Sequence, residues 1–242
     1  MRVKSEEFDA AVRSFRVNDI FYSLQGEGYN TGRAAVFVRF AGCNLRCAFC
    51  DTEFDSFHEM TGTEIVSEIS KYTLPTEQSE RDSEPILHTP QRLLVVLTGG
   101  EPTLQVDEPL IDLLHCHGYE VAMESNGTRP APKNLDWLTV SPKMTNGAWQ
   151  TIRGHRQPDE LKVVFDEHTD PESILALLLS PSSTLSPPPS AVASLPSHLY
   201  LQPCDTGNAE RNSAIVGRCV GYIKKHPHWR LSLQTHKLAN FK

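Results

Sequence analysis

The stretch CNLRCAFCDT places Cys43, Cys47 and Cys50 within eight residues and supplies no fourth cysteine beside them. Three thiols so closely spaced suggest metal-ligand chemistry, and their number bears on which metal. A structural zinc ion closes its tetrahedron with four protein ligands. An iron–sulfur cube also takes four, but one of its irons can stay open to a ligand from outside. The C-x3-C-x2-C spacing suits the second arrangement. Two other readings remain open: His58, eight residues after Cys50, as a fourth ligand to zinc, or three buried thiols without metal. Cys116, Cys204 and Cys219 are scattered and are expected to be ordinary buried residues.

Further polar tokens follow apolar runs. TGGEP (98–102) comes after RLLVVL (92–97), ESNG (124–127) after YEVAM (119–123), and SPK (141–143) after DWLTV (136–140). QPCD (202–205) comes after HLYL (198–201) and QTHK (234–237) after WRLSL (229–233). Glycines behind a strand let backbone approach a ligand closely, and a carbonyl or carboxylate there can accept from an ammonium group. Arg39 interrupts the apolar run AAVFVRF (34–40), where a buried arginine needs an anionic partner.

These tokens need a scaffold that gathers them. The apolar runs, with ELKVVF (160–165), have strand length, and helix-like stretches lie between several of them. Thr63–Tyr72 carries Ile65, Val66 and Ile69 on one face, with Thr61 or Thr63 as its cap. Residues 106–117 end at Gly118, and 208–225 and 171–179 complete the set. The alternation predicts an α/β fold with a mostly parallel sheet, open or barrel-like, whose strand carboxyl ends share one edge where ligands bind. Residues 73–91 are polar, and 180–197 hold seven serines and five prolines, so both read as loop insertions. At 242 residues one domain is expected. The net charge of −7 argues against nucleic acid, and no apolar run reaches membrane-spanning length. The first seventeen residues lack the apolar core of a signal peptide, so a cytoplasmic location is expected, where clustered cysteines are better read as ligands than as disulfides.

CNLRCAFC with TGGEP resembles the radical S-adenosylmethionine (radical SAM) superfamily. LQGEG (24–28), VFVRFAGCNLRCAFCDT (36–52), VSPK (140–143) and LSLQTHK (231–237) narrow the resemblance to the 7-carboxy-7-deazaguanine synthase family of queuosine and 7-deazapurine biosynthesis. The resemblance implies a partial TIM-like βα barrel. It also implies a lyase that converts 6-carboxy-5,6,7,8-tetrahydropterin to 7-carboxy-7-deazaguanine with loss of ammonia, through a 5′-deoxyadenosyl radical. Cys43, Cys47 and Cys50 would hold a [4Fe–4S] cluster, and Thr52 a Mg²⁺ ion. S-adenosyl-L-methionine would meet Phe49, Cys50, Asp51 and Gly100, then Glu124, the span Ser141, Pro142 and Lys143, and the span Gln202, Pro203, Cys204 and Asp205.

For the substrate, the resemblance assigns Leu24, Gln25, Gly26, Glu27, Arg39 and Thr98, together with the terminal carboxylate of Lys242. Arg39 would take the pterin carboxylate, and Glu27 and His236 are pocket candidates without an assigned catalytic role. The tail, with Leu238, Ala239, Asn240 and Phe241, departs from the family's usual ending. A flavodoxin-like electron donor and a homodimer are further implications. The competing readings are another radical SAM enzyme of the activase type, which has no use for LQGEG or Arg39, and a zinc-knuckle binding module.

Overall fold

The computed structural model describes residues 11–50, 52–53, 55–72, 92–145, 148–149, 157–179 and 195–242. The expected insertion 73–91, and 180–194 of the second, lie outside the described residues.

Among the described residues, nine strands form one open sheet in the order β11-β10-β9-β6-β5-β4-β2-β1-β3. Its parallel part comprises β2 (Ala34–Phe40), β4 (Leu94–Gly99), β5 (Glu120–Ser125), β6 (Trp137–Val140), β9 (Glu160–Phe165), β10 (His198–Pro203) and β11 (Arg230–Leu231). β1 (Ser14–Leu24) and β3 (His58–Thr61) extend it antiparallel at one edge. Met144–Thr145 (β7) and Ala148–Trp149 (β8) make a separate small ladder.

The period of two in the strands divides the sheet chemically. One set of residues, including Val36, Val38, Phe40, Val95, Leu97, Val121, Met123, Leu161, Val163, Leu199 and Leu201, is apolar and buried in the main core. Against it pack α1 (Gly62–Ser70) through Ile65 and Ile69, and α2 (Glu108–Cys116) through Leu110, Ile111 and Leu114. α3 (Pro171–Leu179) contributes Ile174 and Leu175, and α4 (Ala209–Lys225) contributes Ile215 and Cys219. Burying each such aliphatic side chain contributes roughly 1.5–3 kcal/mol.

The alternate residues face the other way. Toward the amino ends of the strands they form a small apolar cluster of Phe21, Ala35, Phe37, Leu94, Val96 and Ala122. Toward the carboxyl ends they become Arg39, Thr98, Glu124, Lys162 and Gln202, and these line a cavity. The helices thus cover one face, and the chemistry occupies the other.

Local sequence explains the helix starts. Thr61, the first of the two threonines considered, caps α1, accepting from Glu64 N while Glu64 returns a carboxylate to Thr61 N. Asp107 caps α2 and Asn208 caps α4. Gly118 follows α2 at φ 81°, as its position after that helix requires. The region read as a helix over 106–117 holds α2, and a separate 3₁₀ turn at Pro102–Leu104 precedes it. The run at 229–233 contributes only a two-residue strand, after which the chain forms α5 (Thr235–Ala239). Cys219 is buried as expected, but Cys116 is exposed because it ends α2 on the side away from Leu110 and Leu114.

Candidate active site

The cysteine loop leaves the end of β2 and is fixed by backbone packing. Gly100 N donates to Phe40 O at 2.9 Å and Glu101 N to Gly42 O at 2.9 Å. A Cβ on Gly100 would lie 2.0 Å from Gly42 O, and one on Gly99, whose φ is 120°, would lie 2.3 Å from Phe40 O. Both glycines are therefore required for two backbone segments to touch. Asn44 adds a side-chain tie, accepting from Asn126 Nδ2 at 3.0 Å and donating to Thr128 Oγ1 at 2.7 Å.

Glu101 is fully buried, and its carboxylate has internal partners. Oε1 accepts from Thr103 N, Thr103 Oγ1 and Ser125 Oγ, and Oε2 from Asn126 N at 2.7 Å. The acidic residue of TGGEP thus joins the ends of β4 and β5, and the glycines seat the cysteine loop.

Opposite this loop is a buried ionic floor. Lys162, from the middle of β9, donates to Glu27 Oε2 at 2.5 Å and to Glu124 Oε2 at 3.2 Å. Glu27 also accepts from Gln234 Nε2 at 3.1 Å, and Glu124 from Gln25 Nε2 at 2.9 Å. Burial would push the Glu27 carboxyl up, but the Lys162 ammonium and the hydrogen bonds from Lys162 and Gln234 hold it well below the usual carboxylate range. Burial would likewise lower Lys162, but Glu124, Glu27 and Glu160 raise it, so it stays charged. Glu160 accepts from Tyr29 N at 2.9 Å, and burial pushes its carboxyl up to about 7 against the opposing pull of Lys162.

The two ends of the sequence build the adjoining wall. Thr235 donates through both N and Oγ1 to Gly26 O at 3.0 and 2.9 Å, and Gly28 N donates to Ser232 Oγ at 3.0 Å. His236 lies directly against Gly26. Lys242 reaches back to β1, its ammonium 2.7 Å from Asp19 and over the Phe21 ring, and its carbonyl accepts from Ser23 Oγ.

Arg39 lies with its guanidinium 5.0 Å from the Phe21 ring centroid, and no acidic partner accompanies it among the described residues. Lys143 donates to Ser141 Oγ at 2.7 Å and lies 5.8 Å from the Phe49 ring centroid; burial and the charge of Lys162 lower its pKa. Asp205 is held at about 2 by the Gly207 N–H, Lys237 and Asn212.

A cavity of about 720 Å³ joins the cysteine loop to the ionic floor. It is lined by Cys43, Cys47, Phe49, Cys50, Thr52 and Gly100 on one side and by Leu24, Gln25, Gly26, Glu27 and Arg39 on the other. Thr98, Glu124, Ser141, Lys143, Gln202, Pro203, Cys204, Asp205, His236 and Lys242 complete the expected set. Pro142 is buried beside it and is absent from the lining, while Asp51 lies outside the described residues. Lys162 and Val164 line the cavity without having been singled out in the sequence, and Asn126 and Gln234 line it from within the ESNG and QTHK tokens without having been assigned a role. Lys162 carried a signal: a lysine inside ELKVVF is as anomalous in a buried strand as Arg39 is in AAVFVRF.

The three thiols fit a cluster better than a single ion. Ligands sharing one zinc through bonds near 2.3 Å lie about 3.8 Å apart. The sulfurs of Cys43, Cys47 and Cys50 do not all fall within 4.8 Å of one another. His58 lies exposed in β3 and outside the cavity lining, so it does not complete a zinc tetrahedron with them. Burial pushes the Cys43 and Cys47 thiols up, with Lys143 opposing this at Cys47. The deprotonated ligand form therefore calls for positive charge among the sulfurs, which a bound metal centre would supply.

Comparison with known proteins agrees with this geometry. A sequence profile of the radical SAM superfamily matches residues 37–145. The 7-carboxy-7-deazaguanine synthase of Bacteroides thetaiotaomicron is 42% identical over 94% of this chain and 98% of its own length. That of Bradyrhizobium diazoefficiens is 39% identical over 93% of this chain and 97% of its own. The crystal structure of QueE from Escherichia coli superposes with a TM-score of 0.66 at 24% identity, covering 94% of this chain and 97% of that one. That likeness supports the fold, an open α/β sheet forming a partial TIM-like barrel. The full-length match to curated relatives shows that the chain belongs to the 7-carboxy-7-deazaguanine synthase family of radical SAM enzymes.

Proposed function

We propose that the chain converts 6-carboxy-5,6,7,8-tetrahydropterin to 7-carboxy-7-deazaguanine with release of ammonia, in queuosine biosynthesis. The observation that carries the reading is that one cavity joins three spaced thiols to an arginine without an acidic partner among the described residues and a fixed ionic floor. Cys43, Cys47 and Cys50 would hold the [4Fe–4S] cluster, and Thr52 a Mg²⁺ ion beside it. When bound, the cluster and S-adenosylmethionine supply one-electron chemistry that takes a hydrogen atom from the pterin.

The protein's own share is binding, orientation and exclusion of water. Arg39 offers a planar donor fork to the substrate carboxylate. Glu27, kept ionised by Lys162, offers acceptors to the guanidine-like edge of the pterin, and Leu24, Gln25, Gly26, Thr98 and Lys242 bound the ring. On the cluster side, Phe49, Asp51, Gly100, Glu124, Ser141, Pro142 and Lys143, with Gln202 to Asp205, would hold the sulfonium nucleoside. Glu27 and His236 are the remaining pocket candidates next to the ring, with no catalytic role assigned to either.

The same reading gives one radical SAM domain over residues 1–242 with 73–91 and 180–197 as loop insertions, a homodimer, a flavodoxin-like reductant and a cytoplasmic location. No helix among the described residues is long and apolar enough to cross a membrane. The test is anaerobic turnover of reduced, reconstituted protein with S-adenosylmethionine and the carboxytetrahydropterin, followed by mass analysis. Formation of 7-carboxy-7-deazaguanine is expected; cofactor cleavage without that product overturns the substrate assignment.

A further inference from the structure

A second set of ligand-type side chains lies away from the cavity, where the first turn of α3 meets the turn between α4 and β11. Glu172 Oε1 lies 3.4 Å from His228 Nε2 and 3.7 Å from His226 Nδ1, and the three ligand atoms all lie within 4.8 Å of one another. The first separation is at the long edge of an N–H···O contact and the second lies beyond it. They match the edges of a shared coordination tetrahedron, because ligands on one zinc ion at 2.0–2.1 Å lie about 3.3 Å apart.

The supporting groups are also in place. Tyr222 Oη and Trp229 Nε1 donate to Glu172 Oε1 at 3.0 and 3.3 Å, which fixes the carboxylate. The Tyr222 ring stacks on His226 with centroids 4.1 Å apart, and His226 N caps α4 by donating to Tyr222 O and Ile223 O. Such outer contacts orient metal ligands and set their affinity. The end of α4 also presents the negative pole of its helix dipole, although Lys224 and Lys225 in the last turn add opposing charge. Glu172 and His228 are exposed, which leaves room for water to complete a coordination shell.

We propose that Glu172, His226 and His228 form a binding site for a late first-row divalent cation, with zinc as the best match to two imidazoles and one carboxylate. The ion ties the start of α3 to the turn that leads into β11, the last strand of the parallel sheet. The site is separate from the cysteine loop and uses none of the residues assigned to turnover.

The test uses untagged full-length chain, reconstituted anaerobically so that the cysteines already carry their cluster, then desalted and titrated calorimetrically with Zn²⁺. The wild type is expected to bind one further equivalent. A His226→Gln/His228→Asn double variant is expected to lose that binding, and Tyr222→Phe to weaken it about tenfold. Thermal melting should show a zinc-dependent rise in the wild type and none in the double variant, whose metal-free melt should match wild type. Absence of zinc binding by the wild type, or equal binding by the double variant, overturns the proposal. Neither readout passes through turnover, so failure here leaves the catalytic reading intact.

Discussion

The two walls of the cavity are built by different means. On the cluster side, backbone touches backbone: Gly99 and Gly100 press against the chain entering the cysteine loop, Asn44 anchors the far side, and the thiols face the cavity. On the opposite side the functional groups are bound to one another, with Lys162 between Glu27 and Glu124 and with Gln25 and Gln234 on the remaining oxygens. The first wall fixes where its ligands start and leaves their final arrangement to the metal. The second is already organised, because buried charges of opposite sign cannot be left to find each other at each turnover.

This contrast can be broken from either side. The largest effect is expected for Gly100→Ala, whose methyl would overlap Gly42 O and displace the cysteine loop. Iron and sulfide content after reconstitution should fall to near background while the ionic floor survives. A fully loaded variant would mean that the loop tolerates a shift larger than backbone packing permits.

Next is Lys162→Met, which strands two carboxylates in the floor and should cost roughly 3–5 kcal/mol in urea unfolding. The sign of its pH dependence follows from the loss of the ammonium. Glu27 would then titrate above its unfolded value, so the deficit should grow as pH rises from about 4 to 7. A deficit that does not vary with pH would locate the loss in packing.

Glu160→Gln sharpens the comparison. Its carboxyl is pushed from 4.5 up to about 7, so in the wild type it removes stability as pH rises through that window. The amide should relieve this by about 3 kcal/mol between those limits, at about 1.4 kcal/mol per unit. Parallel stability curves for the two proteins would place the titration elsewhere.

The smallest effect is expected for Arg39→Ala, which has no internal ion pair to lose among the described residues. Substrate KM should rise about 10- to 100-fold, consistent with one lost charge-assisted contact of roughly 1.5–3 kcal/mol. Slow cofactor cleavage should persist, and equal loss of both activities would contradict a role confined to the carboxylate.

The sequence made the cluster side more legible than the floor. Cys43, Cys47, Cys50 and the paired glycines are close in the chain, so their spacing carries their geometry. The floor joins Glu27 to Lys162 across 135 residues, and no local pattern announces such a pairing. The parallel strands were legible because each is short, apolar and followed by a polar token. β1 was not, since a register shift between Val17 and Asp19 interrupts its alternation, with the charged Arg16 and Asp19 on either side. Glu101 caps the 3₁₀ turn locally, but its bonds to Ser125 and Asn126 depend on how β4 and β5 sit side by side. The five-residue α5 has no side-chain cap, and only its contact with Gly26 reveals its purpose.

That contact also orders events during synthesis. The three cysteines leave the ribosome early, whereas Gly26 must wait for Thr235 and Glu27 for Gln234. The wall that carries Gly26 and Glu27 is therefore completed only after residues 234 and 235 have been made.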